Sequence, residues 1–244
     1  LDNFGKNGDL PTHPELLDML AGEIMDQGWS IKKLHKLLMT SEAYRRTSGF
    51  HSAANELKDP ENLYWWRYKA QRLEAEIVRD SILAASGALN KKMHGPAVFP
   101  PLPAEVLASM DKGIWRKQED VPETLRRSVY VYRKRGLPFP LFEVFDLPDQ
   151  NISCGRRTVS TVPTQALTLM NNDFIVKQAA RMADRVATEA GSDPAAQIGR
   201  AYRLALGRPP TPEELATGKD FLSKQPLSGL THVLLNLNEF IYLR

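Results

Sequence analysis

Phe145-Asp146-Leu147-Pro148-Asp149-Gln150-Asn151-Ile152-Ser153-Cys154-Gly155-Arg156-Arg157-Thr158-Val159-Ser160-Thr161-Val162-Pro163-Thr164-Gln165-Ala166-Leu167 separates two helix-patterned halves of a 244-residue chain. Pro, Asp, Asn, Ser and Gly crowd it, which predicts an irregular crossover rather than a helix or strand. Pro163 marks the point where helical periodicity resumes. The stretch also holds the only cysteine and two arginines, and such polar loops on a helical scaffold are where sites are sought first.

Downstream of Pro163 the reading is helical throughout. Thr161 is the expected cap of a helix starting at Pro163, and a second helix runs through Ile175, Val176, Ala179, Ala180, Met182 and Val186 to Gly191. Pro194–Leu206 and Thr211–Lys224 follow, the latter opening with Thr211-Pro212-Glu213-Glu214: a cap, a first-position proline and acidic residues at the dipole. A last helix spans about Ser228 to Phe240.

Upstream, Thr12 is the expected cap of a helix carrying Leu16, Leu17, Leu20 and Ile24. Gly28 ends it, and Ser30 caps a second helix with Ile31, Leu34, Leu37 and Leu38 up to about Thr40. The chain then reads as a polar loop holding His51, a turn at Asp59-Pro60-Glu61-Asn62, and Trp65-Trp66 as a core or interface anchor. Lys69 to Gly87 is the clearest amphipathic pattern, with Leu73, Ile77, Ile82 and Leu83 on one side. Four prolines between Gly95 and Pro103 exclude a helix interior there. Ala104–Met110 is read as a helical turn, and Phe139–Phe145 as a short helix. The alternating Arg126–Arg135 segment predicts a lone strand, with Ala97–Phe99 as its partner. The fold class expected is mainly α: a single domain over 1–244, with an N-terminal helical half over about 1–90, an irregular Pro-rich centre over about 91–160, a C-terminal helical half over about 161–244, and at most a small two-stranded β ribbon.

Composition bounds the function. Hydrophobic residues make up 42% and charged residues 25% of the chain, as in ordinary globular proteins. A net charge of +3, from 32 basic and 29 acidic residues, is too balanced to argue for nucleic acid. No run reaches the ~20 apolar residues of a membrane-spanning helix. One cysteine rules out an internal disulfide and a Cys-based zinc site within these residues. The five histidines show no H-x-H or H-x-x-x-H spacing, so no metal site is expected. The opening Leu1-Asp2-Asn3-Phe4-Gly5 has neither an initiator Met nor a signal peptide, and reads as the start of a fragment.

Four blocks carry a family resemblance. The first is Asn3-Phe4-Gly5 with Pro11-Thr12-His13-Pro14-Glu15-Leu16-Leu17-Asp18, then Gly28-Trp29-Ser30 and Ser41-Glu42-Ala43-Tyr44-Arg45. Asp59-Pro60-Glu61-Asn62 with Arg72-Leu73-Glu74-Ala75-Glu76 and Arg79-Asp80 is the second. The third comprises Arg127-Ser128-Val129-Tyr130, Phe145-Asp146, Cys154-x-x-Arg157, Pro163-Thr164-Gln165-Ala166-Leu167 and Asn171. Ala201-Tyr202-x-x-Ala205-Leu206-Gly207-Arg208 and Asn236-x-Asn238-Glu239-Phe240 complete the set. In these blocks the chain resembles the planctomycete surface-protein C-terminal domain known as domain of unknown function 1553, found downstream of cytochrome-c-like modules. The resemblance implies a piece of a larger exported protein, at the periplasm or cell surface, with haem only in upstream modules and no cofactor in this chain. It also implies that part of the domain precedes Leu1, an exposed apolar face near the N-terminus being its physical sign.

No catalytic motif is recognisable. Asp146, Asn151, Cys154, Arg157, Gln165 and Asn171 are the candidate binding or junction residues. Cys154 has Arg156 and Arg157 beside it but no histidine within 50 residues in sequence, and its bland reading is a small buried residue in a turn. Asp146 and Arg157 are expected to pair across the Pro-containing loop, or else Arg157 holds an anion with Asn151, Thr158 and Gln165 around it. Arg72, Glu74, Glu76, Arg79 and Asp80, read as one helix, form a secondary set whose plain interpretation is ion pairing. Segment 112–135 has eight Lys or Arg against three Asp or Glu, with Trp115, Tyr130 and Tyr132 interleaved, which fits an acidic polysaccharide or a charged strand edge. The leading function is an interaction or structural domain docking on neighbouring modules of the same polypeptide or a surface ligand. The alternatives are a carbohydrate-active enzyme or an anionic-polysaccharide-binding domain, with a site around Asp146–Arg157.

Overall fold

A computed structural model describes residue 3 and residues 5–108, 115–116 and 118–243. Ser109, Met110, Lys112–Ile114 and Lys117, parts of the expected helical turn and basic loop, lie outside the described residues, as does Phe4. Thirteen α-helices and one 3-10 turn occur among the described residues, and the sheet is a two-stranded pairing of Gln71–Arg72 with Tyr242–Leu243. The fold is mainly α. The chain forms two compact units, Leu1–Gln71 with Tyr242–Arg244, and Arg72–Ile241. Helix Ala75–Ala85, assigned from sequence to an N-terminal half ending near residue 90, belongs to the second unit.

In the first unit, Pro14–Asp26 and Ile31–Thr40 form the expected hairpin, the second helix capped where Ser30 Oγ accepts from the Lys33 amide. His13, not Thr12, occupies the first cap position, because Pro14 begins the helix directly after it. Neither helix buries a residue, and Leu17, Met25, Trp29 and Ile31 are all more than half exposed. The polar loop around His51 contains a short helix, Ala53–Lys58, which sequence periodicity missed because six residues are too few to show a stripe. Asp59 makes the predicted turn by accepting from the Leu63 and Tyr64 amides, both at 2.8 Å.

The second unit is built around Asp173–Ala190, which packs against Leu227–Leu235, Pro194–Leu206, Pro163–Asn171 and Ala75–Ala85. Ile175, Met182 and Val186 from this helix, Val78, Ile82 and Leu83 from Ala75–Ala85, and Leu234 and Leu235 are essentially fully buried. Local chemistry sets the helix ends. Thr211 and Glu214 complete a reciprocal capping box, and Gly207, at φ +71°, closes Pro194–Leu206 in the left-handed region that only glycine enters freely. Gly218 lets Pro212–Leu222 approach Ile198, whose side-chain atoms lie 3.1–3.3 Å from where a Cβ would sit.

Four sequence expectations are corrected. The last helix, expected over about Ser228 to Phe240, ends at Leu235, and a separate helical turn spans Asn238–Ile241. The amphipathic helix begins at Ala75 rather than Lys69: the Leu73 amide donates to the Ile241 carbonyl at 2.7 Å, which holds the chain extended up to the Glu74 cap. Arg126–Arg135 is not a strand. Its backbone turns through the 3-10 segment Ser128–Tyr130, and Val131 meets Val98 in one isolated bridge, so the expected neighbour is present but no ladder forms. Val162, not Thr161, caps the helix at Pro163.

Candidate functional site

Asp146 ends the short helix Pro140–Val144 with φ +60°, a left-handed conformation that Asp tolerates because its short side chain bonds locally. Its carboxylate accepts from the Ser160 amide (2.8 Å), the Ser160 hydroxyl (2.8 Å) and the Arg72 guanidinium (2.5 Å). Arg72, only 2% exposed at its side chain, also donates to the carbonyls of Leu73, Phe145 and Ser160. Gln165 is buried, and its Nε2 donates to the Val144 and Ser160 carbonyls. These four residues close the two ends of the 147–159 loop on each other. Burial alone would raise the Asp146 pKa, but the Ser160 hydrogen bonds and the Arg72 charge outweigh it and hold the carboxyl below its ordinary value. A carboxylate so occupied acts as a clamp.

The expected Asp146–Arg157 pair does not form. Arg157 lies on the opposite partner set: it donates to Glu76 at 2.7 and 3.3 Å and sits 3.2 Å from Glu74, while Arg133 also pairs with Glu76. Burial would raise Glu76, yet the Arg157 hydrogen bond, the helix N-terminal backbone and the two guanidinium charges bring its pKa below the ordinary value. The bond to Glu76 raises Arg157 in turn. Asp146 takes Arg72 instead because Arg72 enters from the extended segment ahead of helix Ala75–Ala85, a placement that the helical reading of Lys69–Gly87 excluded.

Arg79 and Asp80 have a third role. Arg79, 1% exposed, donates to the carbonyls of Thr124 (2.6 Å) and Arg126 (2.9 Å) and to the Ser128 hydroxyl (3.1 Å). Asp80 accepts from the Ser128 amide and hydroxyl at 2.7 and 2.6 Å. Together they strap the 124–128 segment to the helix, and the strap takes the backbone groups that a strand there would have offered to a partner. Burial lowers the Arg79 pKa to about 10, with Asp80 acting in the other direction.

The remaining candidates stand apart. Asn151 bonds to Asp149 in the exposed loop, and Asn171 bonds back to the Leu167 carbonyl of its own helix. Cys154 is exposed rather than buried, its Sγ 3.3 Å from the Arg156 carbonyl, because the 147–159 loop runs outside the clamp that closes it. Among the described residues no three His, Cys, Asp or Glu side chains gather as metal ligands.

Sequence reasoning did not find a cleft in the first unit. A cavity of 520 Å³ is lined by Tyr44, Trp65, Tyr68, Arg67, Lys69 and Leu38 among others, and a second of 560 Å³ shares Asn62, Arg67, Tyr68 and Lys69. No predicted site residue lines either. Two residues in the left-handed region, Asn62 at φ +56° and Trp65 at φ +51°, bound the turn that forms the wall. Asn62 locks this turn by donating to the Arg67 carbonyl and accepting from its amide, and the Trp65 ring stacks on His13 at 4.6 Å. The Trp65-Trp66 pair was the available signal, and Trp66 does serve as an anchor, donating to the Asp59 carbonyl.

Residues 1–222 match the model of the family described as a protein of unknown function (DUF1553), PSD1. The chain belongs to the DUF1553 family. The match takes in the clamp, the Glu76–Arg157 pairs and the cleft of this DUF1553 chain, and it stops before helix Leu227–Leu235 and the Asn236-x-Asn238-Glu239-Phe240 block. No curated protein and no solved structure matches the chain. None of the helices among the described residues is long and apolar enough to cross a membrane.

Proposed function

We propose that this DUF1553 chain is an interaction domain of a larger exported bacterial protein, and that a neighbouring module of the same polypeptide docks into the cleft of the first unit. The observation that carries this reading is Trp65: a bulky non-glycine residue kept at φ +51°, 43% exposed and lining an open cleft. Such a backbone conformation costs of order 1–3 kcal/mol and persists where the surroundings impose it, as they do at binding sites. Tyr44 and Tyr68 add two further rings, and open aromatic clefts of several hundred Å³ are ordinary binding sites. Following the family resemblance, haem belongs to the neighbouring modules and the compartment is the periplasm or cell surface. In full-length protein, Trp65→Ala with Tyr68→Ala is expected to speed proteolysis between modules while leaving the folding of this domain intact. Unchanged cleavage rates sink the docking reading.

An acidic polysaccharide is the second reading, supported by Arg67 and Lys69 beside the rings of Tyr44 and Tyr68. Polygalacturonate binding that weakens with salt and on Lys69→Ala is then expected. Absence of binding at low salt removes it.

A further inference from the structure

Asn151-Ile152-Ser153 is the only Asn-x-Ser or Asn-x-Thr triplet in the 244-residue sequence, and its middle residue is not proline. Such a triplet is the acceptor pattern for N-linked glycosylation, which needs an asparagine open to solvent on a surface loop. The structure meets that demand. Between Leu147 and Ser160 the backbone joins no helix or strand, and Asn151 to Arg156 form an unbroken exposed run. The loop is closed at its base, where the Asp146 carboxylate holds the Ser160 amide and hydroxyl, so the triplet is displayed without help from contacts of its own. Its polar atoms are open as well. Among the described residues the Ser153 hydroxyl makes no hydrogen bond, and Asn151 Nδ2 donates only to Asp149 Oδ1, at 2.8 Å. Asp149 is itself exposed and stands two residues ahead of the asparagine. A carboxylate at that fixed offset offers a transferase one charged contact, to an arginine, beyond the triplet.

We infer that Asn151 is a glycan acceptor, modified by an oligosaccharyltransferase that reads Asp149, Asn151 and Ser153. The donor class is a glycan carried on a polyprenyl diphosphate. Asn151 Nδ2 forms a bond to the anomeric carbon, the bond from that carbon to the diphosphate oxygen breaks, the lipid diphosphate leaves with that electron pair, and Nδ2 gives up one proton to a base of the transferase. An amide nitrogen is a weak nucleophile because its lone pair is delocalised into its carbonyl. Activation therefore belongs to the transferase, and this chain supplies reach and recognition. The bond from Asn151 to Asp149 lies in solvent, where it is exchanged for other partners at small net cost. A glycan at Asn151 covers the exposed Ile152 and the protease-accessible Arg156 on the same loop. The inference rests on the export named in the proposed function, since such donors are used outside the cytoplasm, and not on the cleft.

Mass spectrometry of the chain purified from the envelope and cytoplasmic fractions of its native cells tests this. In the envelope fraction the tryptic peptide that ends at Arg156 should be heavier by whole sugar residues, with fragmentation leaving the last sugar on Asn151. Asn151→Gln and Ser153→Ala should each abolish the increment, Ser153→Thr should keep it, and Asp149→Ala should lower occupancy about tenfold through loss of one charge-assisted contact. All three positions are exposed, so the helical signal of each variant should be unchanged. Trp65→Ala with Tyr68→Ala should leave the glycan in place. An exported chain with unmodified Asn151 overturns the inference and leaves the export reading standing. A sugar on Ser153 instead, or occupancy indifferent to Asp149 or to Ser153, overturns it as well. A chain found only in the cytoplasm overturns the export reading and this inference with it.

Discussion

Arg72 and Asp146, 74 residues apart in sequence, form a 2.5 Å ion pair whose guanidinium side is 2% exposed and whose carboxylate is 21% exposed. The pair fastens the start of the second unit to the end of helix Pro140–Val144, and through Ser160 to the far end of the loop that precedes Pro163. Removing one member leaves the other charge uncompensated, and such losses cost about 3–5 kcal/mol. Since Arg72 keeps three carbonyl acceptors, the lower end of that range is expected for Asp146→Ala. Urea unfolding should show the drop, and Arg72→Met with Asp146→Leu together should cost less than the sum of the single changes. Strict additivity would show that the two residues act independently.

Arg79→Lys tests the strap on helix Ala75–Ala85. A lysine ammonium lacks the planar fork that reaches Thr124, Arg126 and Ser128 at once. Each lost hydrogen bond from a charged donor contributes about 1.5–3 kcal/mol, so a loss of roughly 2–4 kcal/mol is expected for this conservative change. Hydrogen exchange at the amides of residues 124–131 should accelerate first. Protection equal to that of the unaltered chain would mean that the 3-10 turn holds itself.

The acid limb of stability follows from depressed carboxyl groups. Hydrogen bonding to Arg208, helped by Thr211 and opposed by burial, lowers Glu214 to about 2, and Asp146 is lowered as described. A group depressed in the folded state stabilises it above the unfolded pKa, which is about 4.3 for Glu and 3.9 for Asp, and loses that contribution as pH falls through the folded value. Melting temperature should therefore decline from about pH 4.5 towards pH 2. Glu214→Gln should flatten part of this decline. An unaltered profile in that variant would assign the acid limb to other groups.

Cys154 is exposed, and its sulfur lies 3.3 Å from the Arg156 carbonyl. Maleimide labelling of native protein should run at the rate of an open thiol, and Cys154→Ser should change stability by no more than about 0.5 kcal/mol. Labelling that requires unfolding would contradict the exposed loop.

Much of the fold was legible where its causes are local. Thr211 through Glu214 dictated a helix start through bonds between residues three apart, and Gly207 dictated a stop through its own dihedral. Ser30 did the same for Ile31–Thr40. The Arg126–Arg135 alternation misled because strand pairing depends on a partner backbone, and here Arg79 takes the Arg126 carbonyl and Asp80 the Ser128 amide while pairing with Val98 is confined to one bridge. The bonds within the Phe145–Leu167 stretch were not legible, since Ser160 was not singled out and Arg72 was read as part of an ion-pairing set on one helix. The cleft was invisible because its walls come from Tyr44 and from the Asn62–Lys69 turn, whose left-handed Asn62 and Trp65 carry no composition signal.

By itself, then, the sequence determined a mainly helical chain, the approximate ends of the helices between Pro163 and Leu222, the irregular stretch before Pro163 and membership of the DUF1553 family, because periodicity, caps and motif order are properties of neighbouring residues. Tertiary structure alone decided which charges meet. Arg72 rather than Arg157 reaches Asp146, and Arg157 turns to Glu76, because a long side chain chooses among carboxylates by which backbone brings them within hydrogen-bond distance. It also decided that Leu17, Met25 and Ile31 stay open to solvent, since a stripe read from sequence says that a helix has an apolar face and not what covers it.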